Sequence, residues 1–288
     1  MLALICIGFS PDDALARRSG KKNKAPKTSH PAKGSKSSTW ENFTYKIVAL
    51  NQRAGVVSAR VEKDKRGRST TLYAKSETTG TVAKAFPMDH RQLSHLRKGK
   101  GFPTKTVQQR DDPFGKMALK MTFPKRKNKA TSVQSHRNGK DRTRQRKLPM
   151  GVHDPLSALL SISSRETKVG DSWDLPFFSG VKLYGVQAKT VAKEEIWTPG
   201  MGMQSAYKIE LKIHREPKWT QSKKKGFKVT APARDKWNRT IELWISAERP
   251  GVVLHAVYRM QPLGEVVVTL ESFHVEKVSK KKKARKKS

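Results

Sequence analysis

The chain has 288 residues, of which 61 are Lys or Arg and 24 are Asp or Glu, giving a formal net charge of +37. Hydrophobic residues make up 35%, which excludes a chain disordered throughout, while the cationic surplus opposes compaction and favours an anionic partner. The single cysteine, Cys6, lies near the start, so disulfides and paired-thiolate zinc sites are excluded.

Met1 to Phe9 is apolar but too short to span a bilayer, and small residues stand at Ala14 and Ala16. Residues 1–16 are therefore expected to be a secretory leader cut after Ala16, with a buried N-terminal strand as the alternative. Cys6 follows Ile5 rather than a small residue, which leaves lipid attachment as a minor option. Residues 17–38 hold eight basic residues and no acidic one, and read as a solvated, disordered basic tail.

From 39 to 276 the dominant period is two, the mark of half-buried strands. Phe43, Tyr45, Ile47 and Ala49 fall on one side of the first run, and Val57, Ala59 and Val61 on one side of the second. Gly55, the last residue of the connecting "NQRAG", suits a positive-φ position or a bulge. His90 and His95 sit in a basic segment read as a loop. Residues 125–147, rich in Lys and Arg, also read as a basic loop with a tip at "NGKDR".

Asp154 and Pro155 open the one helix expected. A carboxylate at the N-cap followed by proline at the first helical position is a complete start signal. Leu156, Leu159 and Leu160 then share a face up to about Ser164, and Gly170 and Asp171 turn the chain into "WDLPFF". His153 and Ser157 have the spacing of a base and a nucleophile, but no nucleophile elbow surrounds Ser157 and no orienting carboxylate is identifiable. The structural reading is preferred. Four late runs, "MQSAYKIELKIH", "IELWIS", "GVVLHAVYRM" and "GEVVVTLESF", are expected to form an antiparallel meander. In the first, Met203, Ser205, Tyr207, Ile209, Leu211 and Ile213 share a side.

Residues 215–239 interrupt this meander and read as a basic, aromatic loop. Trp219, Lys223, Lys224, Lys225 and Trp237 form the candidate binding constellation there, because aromatics among cations suit sugars, bases or a membrane interface. The competing reading has the tryptophans folding back on the sheet as anchors. Residues 277–288 are a second basic tail.

The runs "GVHDPLSALLSI", "VGDSWDLPFFSGVKLYGVQAKTVAKEEIWTPGM" and "IELWISAERPGVVLHAVYRMQPLGEVVVTLESF" together resemble the bacterial domain-of-unknown-function 3108 family, from roughly Trp40 to Phe273. The resemblance implies an exported, β-rich envelope protein without an assigned activity. The strong basicity and the "KWTQSKKKGFKVTAPARDKWNR" insertion depart from the family pattern.

No phosphate-binding loop, dinucleotide fingerprint, His-Glu-x-x-His or paired-cysteine motif occurs, so no catalytic residue, metal or cofactor is assigned. Asp111 with Asp112 and Glu194 with Glu195 are adjacent pairs that point to opposite strand faces. The expected fold is mainly β: an antiparallel, curved open sheet or partly closed barrel with one short central helix and disordered basic tails. The expected function is non-catalytic binding of anionic polymer or lipid in the envelope or periplasm, with an apolar ligand in the concave face a further option. The alternatives are a cytoplasmic nucleic-acid-binding protein and an envelope hydrolase.

Overall fold

In a computed structural model the described residues are 37–279, except 65–68, 98–100, 114, 125–128, 137–140, 223–225, 231–238 and 261–263. They form one large antiparallel sheet of fourteen strands, a separate two-stranded hairpin and two helices.

The topology is two arms that meet at the middle of the sheet. The first arm is a meander outward from β1 (Ser37–Ala49) through β2 (Gln52–Asp64), β3 (Thr70–Thr78), β4 (Asp89–Leu96), β5 (Pro103–Asp112), β6 (Gly115–Thr122) and β7 (Lys129–His136) to β8 (Asp141–Lys147). The chain then crosses to the opposite edge and returns inward. This second arm runs through β9 (Ser172–Phe178), β10 (Leu183–Thr198), β11 (Gly202–Arg215), β14 (Arg239–Ser246) and β15 (Val253–Met260) to β16 (Gly264–Ser279). β16 pairs with β1 from Ser37↔Ser279 to Ala49↔Val266, joining the arms. The four late runs form the expected meander in the order β11, β14, β15, β16.

Alternation produces the core. Phe43, Tyr45, Ile47 and Ala49 are buried on one side of β1, and Val57 and Ala59 continue that face on β2. On β11 the pattern holds at Ile209, Leu211 and Ile213, all fully buried, but Met203 at the strand's start is 61% exposed. The β1–β2 turn is made by Leu50 and Asn51, at φ of 52° and 57°, the two positive values that a two-residue hairpin needs. Gly55 takes the bulge instead: Ile47 pairs with Gly55 and Val48 with Arg53. A Cβ on Gly55 would stand 2.5 Å from the Glu77 carbonyl oxygen, so the neighbouring strand leaves room only for glycine there.

Helix α2 (Pro155–Ser163) lies in the hollow of the curled sheet, burying Leu156, Ala158, Leu159 and Ile162. Ala158, Leu159 and Ile162 join the main core, while Leu156 packs with Leu72, Ala74 and Leu96 of the first arm. A third cluster joins Leu119 and Met121 of β6 to Phe178 and Leu183 beside the opposite edge. At Gly180, with φ of 95°, a Cβ would meet Leu119 Cδ2 at 2.3 Å. The two ends of the sheet thus approach without pairing, and the barrel stays open between β8 and β9.

Five expectations are corrected. A second helix, α1 (Gly80–Ala85), is present, and it buries no residue. The 125–147 segment is not a loop but chiefly the β7–β8 hairpin. Within 215–239, β12 (Lys218–Ser222) pairs with β13 (Gly226–Thr230). His90 and His95 lie on strand β4, not in a loop. The sheet begins at Ser37 and ends at Ser279, so β1 and β16 take residues assigned to the tails. The leader, most of both tails and the "NGK" tip lie outside the described residues.

Candidate functional site

The start of α2 is a reciprocal cap. The Ser157 backbone N–H donates to Asp154 Oδ1 at 2.8 Å, and the Asp154 backbone N–H donates to Ser157 Oγ at 3.0 Å. Both side chains are buried. Ser157 Oγ also donates to the Asp154 carbonyl at 3.3 Å, so the hydroxyl is committed to the helix start. His153 lies outside the helix: its backbone bridges to Phe177 of β9 in parallel, and its ring sits 4.9 Å from that of Phe102. Burial pushes its imidazole down to about 4. The pair therefore does not form a base aimed at a nucleophile.

Around Asp154 the hollow of the first arm is polar. Thr106 donates to Asp154 Oδ2, and Ser94 also hydrogen-bonds the carboxyl. Gln92 Nε2 donates to Ser94 Oγ and Gln108 Nε2 to Gln92 Oε1, each at 3.2 Å. Register places these residues side by side, Gln92 opposite Gln108 and Ser94 opposite Thr106. Burial raises the Asp154 pKa, opposed by the bonds from Ser157, Thr106 and Ser94. Burial, with Arg110 adding to it, pushes His90 down to about 3. Polar residues at inward positions look like loop to a reading based on apolar alternation, and the signal that remains is the period of two in His90, Gln92, Ser94 and Leu96.

An apolar groove runs between Leu156, Leu159 and Leu160 of α2 and Tyr45, Val61 and Leu72 of the sheet, with a volume of about 50 Å³. The basic, aromatic insertion lies elsewhere. Val229 of β13 donates its N–H to Asp174 Oδ2 at 2.7 Å, which lays the hairpin on β9. Trp219 packs against the cluster containing Leu119 and Phe178, so it is an anchor for the hairpin. Lys223, Lys224, Lys225 and Trp237, the rest of the expected constellation, lie outside the described residues. Asp111 and Asp112 do separate, to Lys116 and Arg110 respectively. Glu194 accepts from Trp244 Nε1.

A family model described as "Protein of unknown function (DUF3108)" matches residues 42–271. The chain belongs to this family. No curated protein matches it. The fold of this DUF3108 chain is similar to that of a beta-barrel-like protein of domain of unknown function DUF1849 from Brucella abortus. That likeness has a TM-score of 0.55 at 8% identity and covers 83% of this chain and 98% of the other. A candidate lipoprotein from Parabacteroides distasonis aligns over 82% of this chain and 95% of its own at 10% identity, with a TM-score of 0.34, too low to bear on the fold.

Charge in this DUF3108 chain is divided between the arms. Residues 37–150 hold 27 Lys and Arg against 8 Asp and Glu, whereas residues 151–279 hold 19 against 14. In the first arm Glu41, Glu77, Asp89, Asp111 and Asp112 are already paired with Lys63, Lys75, Arg91, Lys116 and Arg110. Lys105, Lys120, Arg142, Arg144 and Lys147 stand exposed on β5, β6 and β8. Among the described residues the counts are 17 against 8 in 37–150 and 14 against 13 in 151–279, a cationic half beside a near-balanced one.

Proposed function

We propose that this DUF3108 protein is an exported, non-catalytic envelope protein that holds anionic polymer or lipid against the β1–β8 arm. The observation that carries the reading is the surplus of cations on that arm, five of whose eight carboxylates are already paired. Such a field draws polyanions and anionic surfaces and is screened within about 10 Å at 0.1 M salt. Export is supported by the leader pattern of residues 1–16. A non-catalytic role is supported by the commitment of Asp154 and Ser157 to the helix cap. The groove beside α2 is about 50 Å³, against roughly 300–1,000 Å³ for small-molecule pockets, so the surface is favoured over an enclosed apolar ligand.

The test is co-sedimentation of the full chain with anionic vesicles, zwitterionic vesicles and immobilised acidic polysaccharide at low salt, with duplex DNA as competitor. Binding to the anionic materials alone supports the proposal. Selective retention on DNA, with an intact Met1 on protein from a cytoplasmic fraction, overturns it in favour of nucleic-acid binding. A mature N-terminus at Arg17 supports export.

A further inference from the structure

β8 is the terminal strand of the fourteen and pairs only with β7. Its outer edge therefore presents backbone N–H and C=O groups with no sheet partner, the arrangement that adds a further strand. The opposite edge is different: the chain itself covers the end of β9, through His153 N–H to Pro176 O at 3.0 Å and Phe178 N–H to His153 O at 2.8 Å. Among the described residues no such backbone bond reaches the outer edge of β8.

The side chains of that edge select what can pair with it. The strand reads Asp-Arg-Thr-Arg-Gln-Arg-Lys, and every residue except Arg146 is exposed. Arg142, Arg144 and Arg146 alternate, so they share the face that continues from Gln134, Ser132 and Ala130 of β7. Arg146 is already committed, with Nη1 donating to Glu216 Oε1 at 2.9 Å and to the Val181 carbonyl at 3.3 Å. Arg142 and Arg144 have no carboxylate partner among the described residues.

We infer that the open edge of β8 is a docking strand for an extended acidic segment of another protein. Such a segment adds antiparallel or parallel to β8 through the backbone and sets alternate carboxylates against Arg142 and Arg144. A second copy of this chain fits poorly, because like strands would place arginine opposite arginine, which is destabilising in a cross-strand pair. The chain's own termini fit no better, since residues 17–36 and 280–288 are basic without acidic residues. A polysaccharide or lipid headgroup can neutralise the arginines but has no use for the backbone edge. Charged edge residues ordinarily deter association; against an acidic strand the same charges attract.

The experiment measures binding of a short, labelled, alternating Glu-Thr peptide to the full chain, next to the same peptide with every second amide N-methylated. The two carry equal charge, but the second cannot complete a ladder along one edge. The proposal expects the unmodified peptide to bind at least about tenfold tighter and to slow amide exchange at alternate residues of β8. It also expects Arg142→Gln with Arg144→Gln to abolish binding while thermal melting is unchanged. Equal binding of both peptides overturns it, as does unchanged exchange in β8 or full binding by the double variant. The vesicle and polysaccharide measurement stands apart: the peptide can pair while those materials fail to bind, and the reverse, so either reading can fail alone.

Discussion

Arg146 on the edge strand β8 and Glu216, seventy positions later and just past the end of β11, meet across the open seam of the sheet, with Arg146 Nη1 2.9 Å from Glu216 Oε1. The same carboxylate accepts the Leu183 backbone N–H at 3.3 Å. Two ends of a sheet that never hydrogen-bond to each other as strands are thus tied by one guanidinium and one carboxylate. Both side chains are more than a third exposed, at 38% and 37%, so water and salt screen the pair. A double-mutant cycle with Arg146→Ala and Glu216→Ala should give a coupling of about 0.5–1 kcal/mol that shrinks as salt rises. A salt-independent coupling of several kcal/mol would show that the seam is sealed from solvent.

The cap at Asp154 should matter more than its single residue suggests. Asp154→Ala removes the acceptor for the Ser157 N–H, for Thr106 and for Ser94 together. The loss should reach or exceed the upper end of the about 0.5–2 kcal/mol of an ordinary cap, because buried donors are left behind. Asp154→Asn keeps an N-cap acceptor and should recover much of it. Chemical denaturation of both variants decides this; equal loss in the two would mean that the charge, not the cap, is what the site uses.

Acid sensitivity follows from two buried imidazoles. Burial holds His90 down at about 3 and His153 at about 4, against the ordinary 6.5. Between pH 6.5 and those values the unfolded chain binds protons that the folded chain refuses, so their contribution to stability is full above 6.5 and is lost as the pH falls. Asp154 works in the opposite sense: its raised pKa favours the folded state at low pH, a contribution lost as the pH rises through the folded value. In an Asp154→Asn background, stability should therefore fall steadily from pH 6.5 towards 4, and His90→Gln with His153→Gln should flatten that slope. A slope unchanged by the two replacements would assign it to other groups.

Trp219 separates the two roles open to the aromatic insertion. Its packing against the Leu119 and Phe178 cluster predicts that Trp219→Ala lowers stability by about 1–2 kcal/mol, less than the roughly 3–5 of a fully buried aromatic. Binding to anionic vesicles, measured on folded protein, should be unchanged. Weaker binding at unchanged stability would return Trp219 to a contact surface.

What was legible in the sequence tracks burial. β1, β2, β9, β11 and β14–β16 carry apolar residues at alternate positions because one face of each is covered, and the helix start at Asp154 and Pro155 is written in adjacent residues. β7, β8, β12 and β13 look like loops in the sequence for the converse reason. At a sheet edge or in a peripheral hairpin few positions are excluded from water, so Lys, Arg, Thr and Gln satisfy a strand as well as Val does. Helix α1 has no buried residue and hence no apolar stripe. The polar hollow at Gln92, Ser94, Thr106 and Gln108 is not legible in the sequence because its partners are brought together by register and by the cap of a helix about fifty residues further on.

The most direct test of the central claim removes the same amount of charge from one arm or from the other. Lys105, Lys120, Arg144 and Lys147 on the first arm are replaced by Gln in one variant, and Lys189, Lys193, Lys212 and Arg259 on the second arm in another. All eight are exposed, and both variants keep the same net charge. Binding to anionic vesicles and acidic polysaccharide is then followed against ionic strength. The account predicts a marked loss of affinity and a shallower salt dependence in the first variant only. Equal losses in the two, or a greater loss in the second, would contradict it.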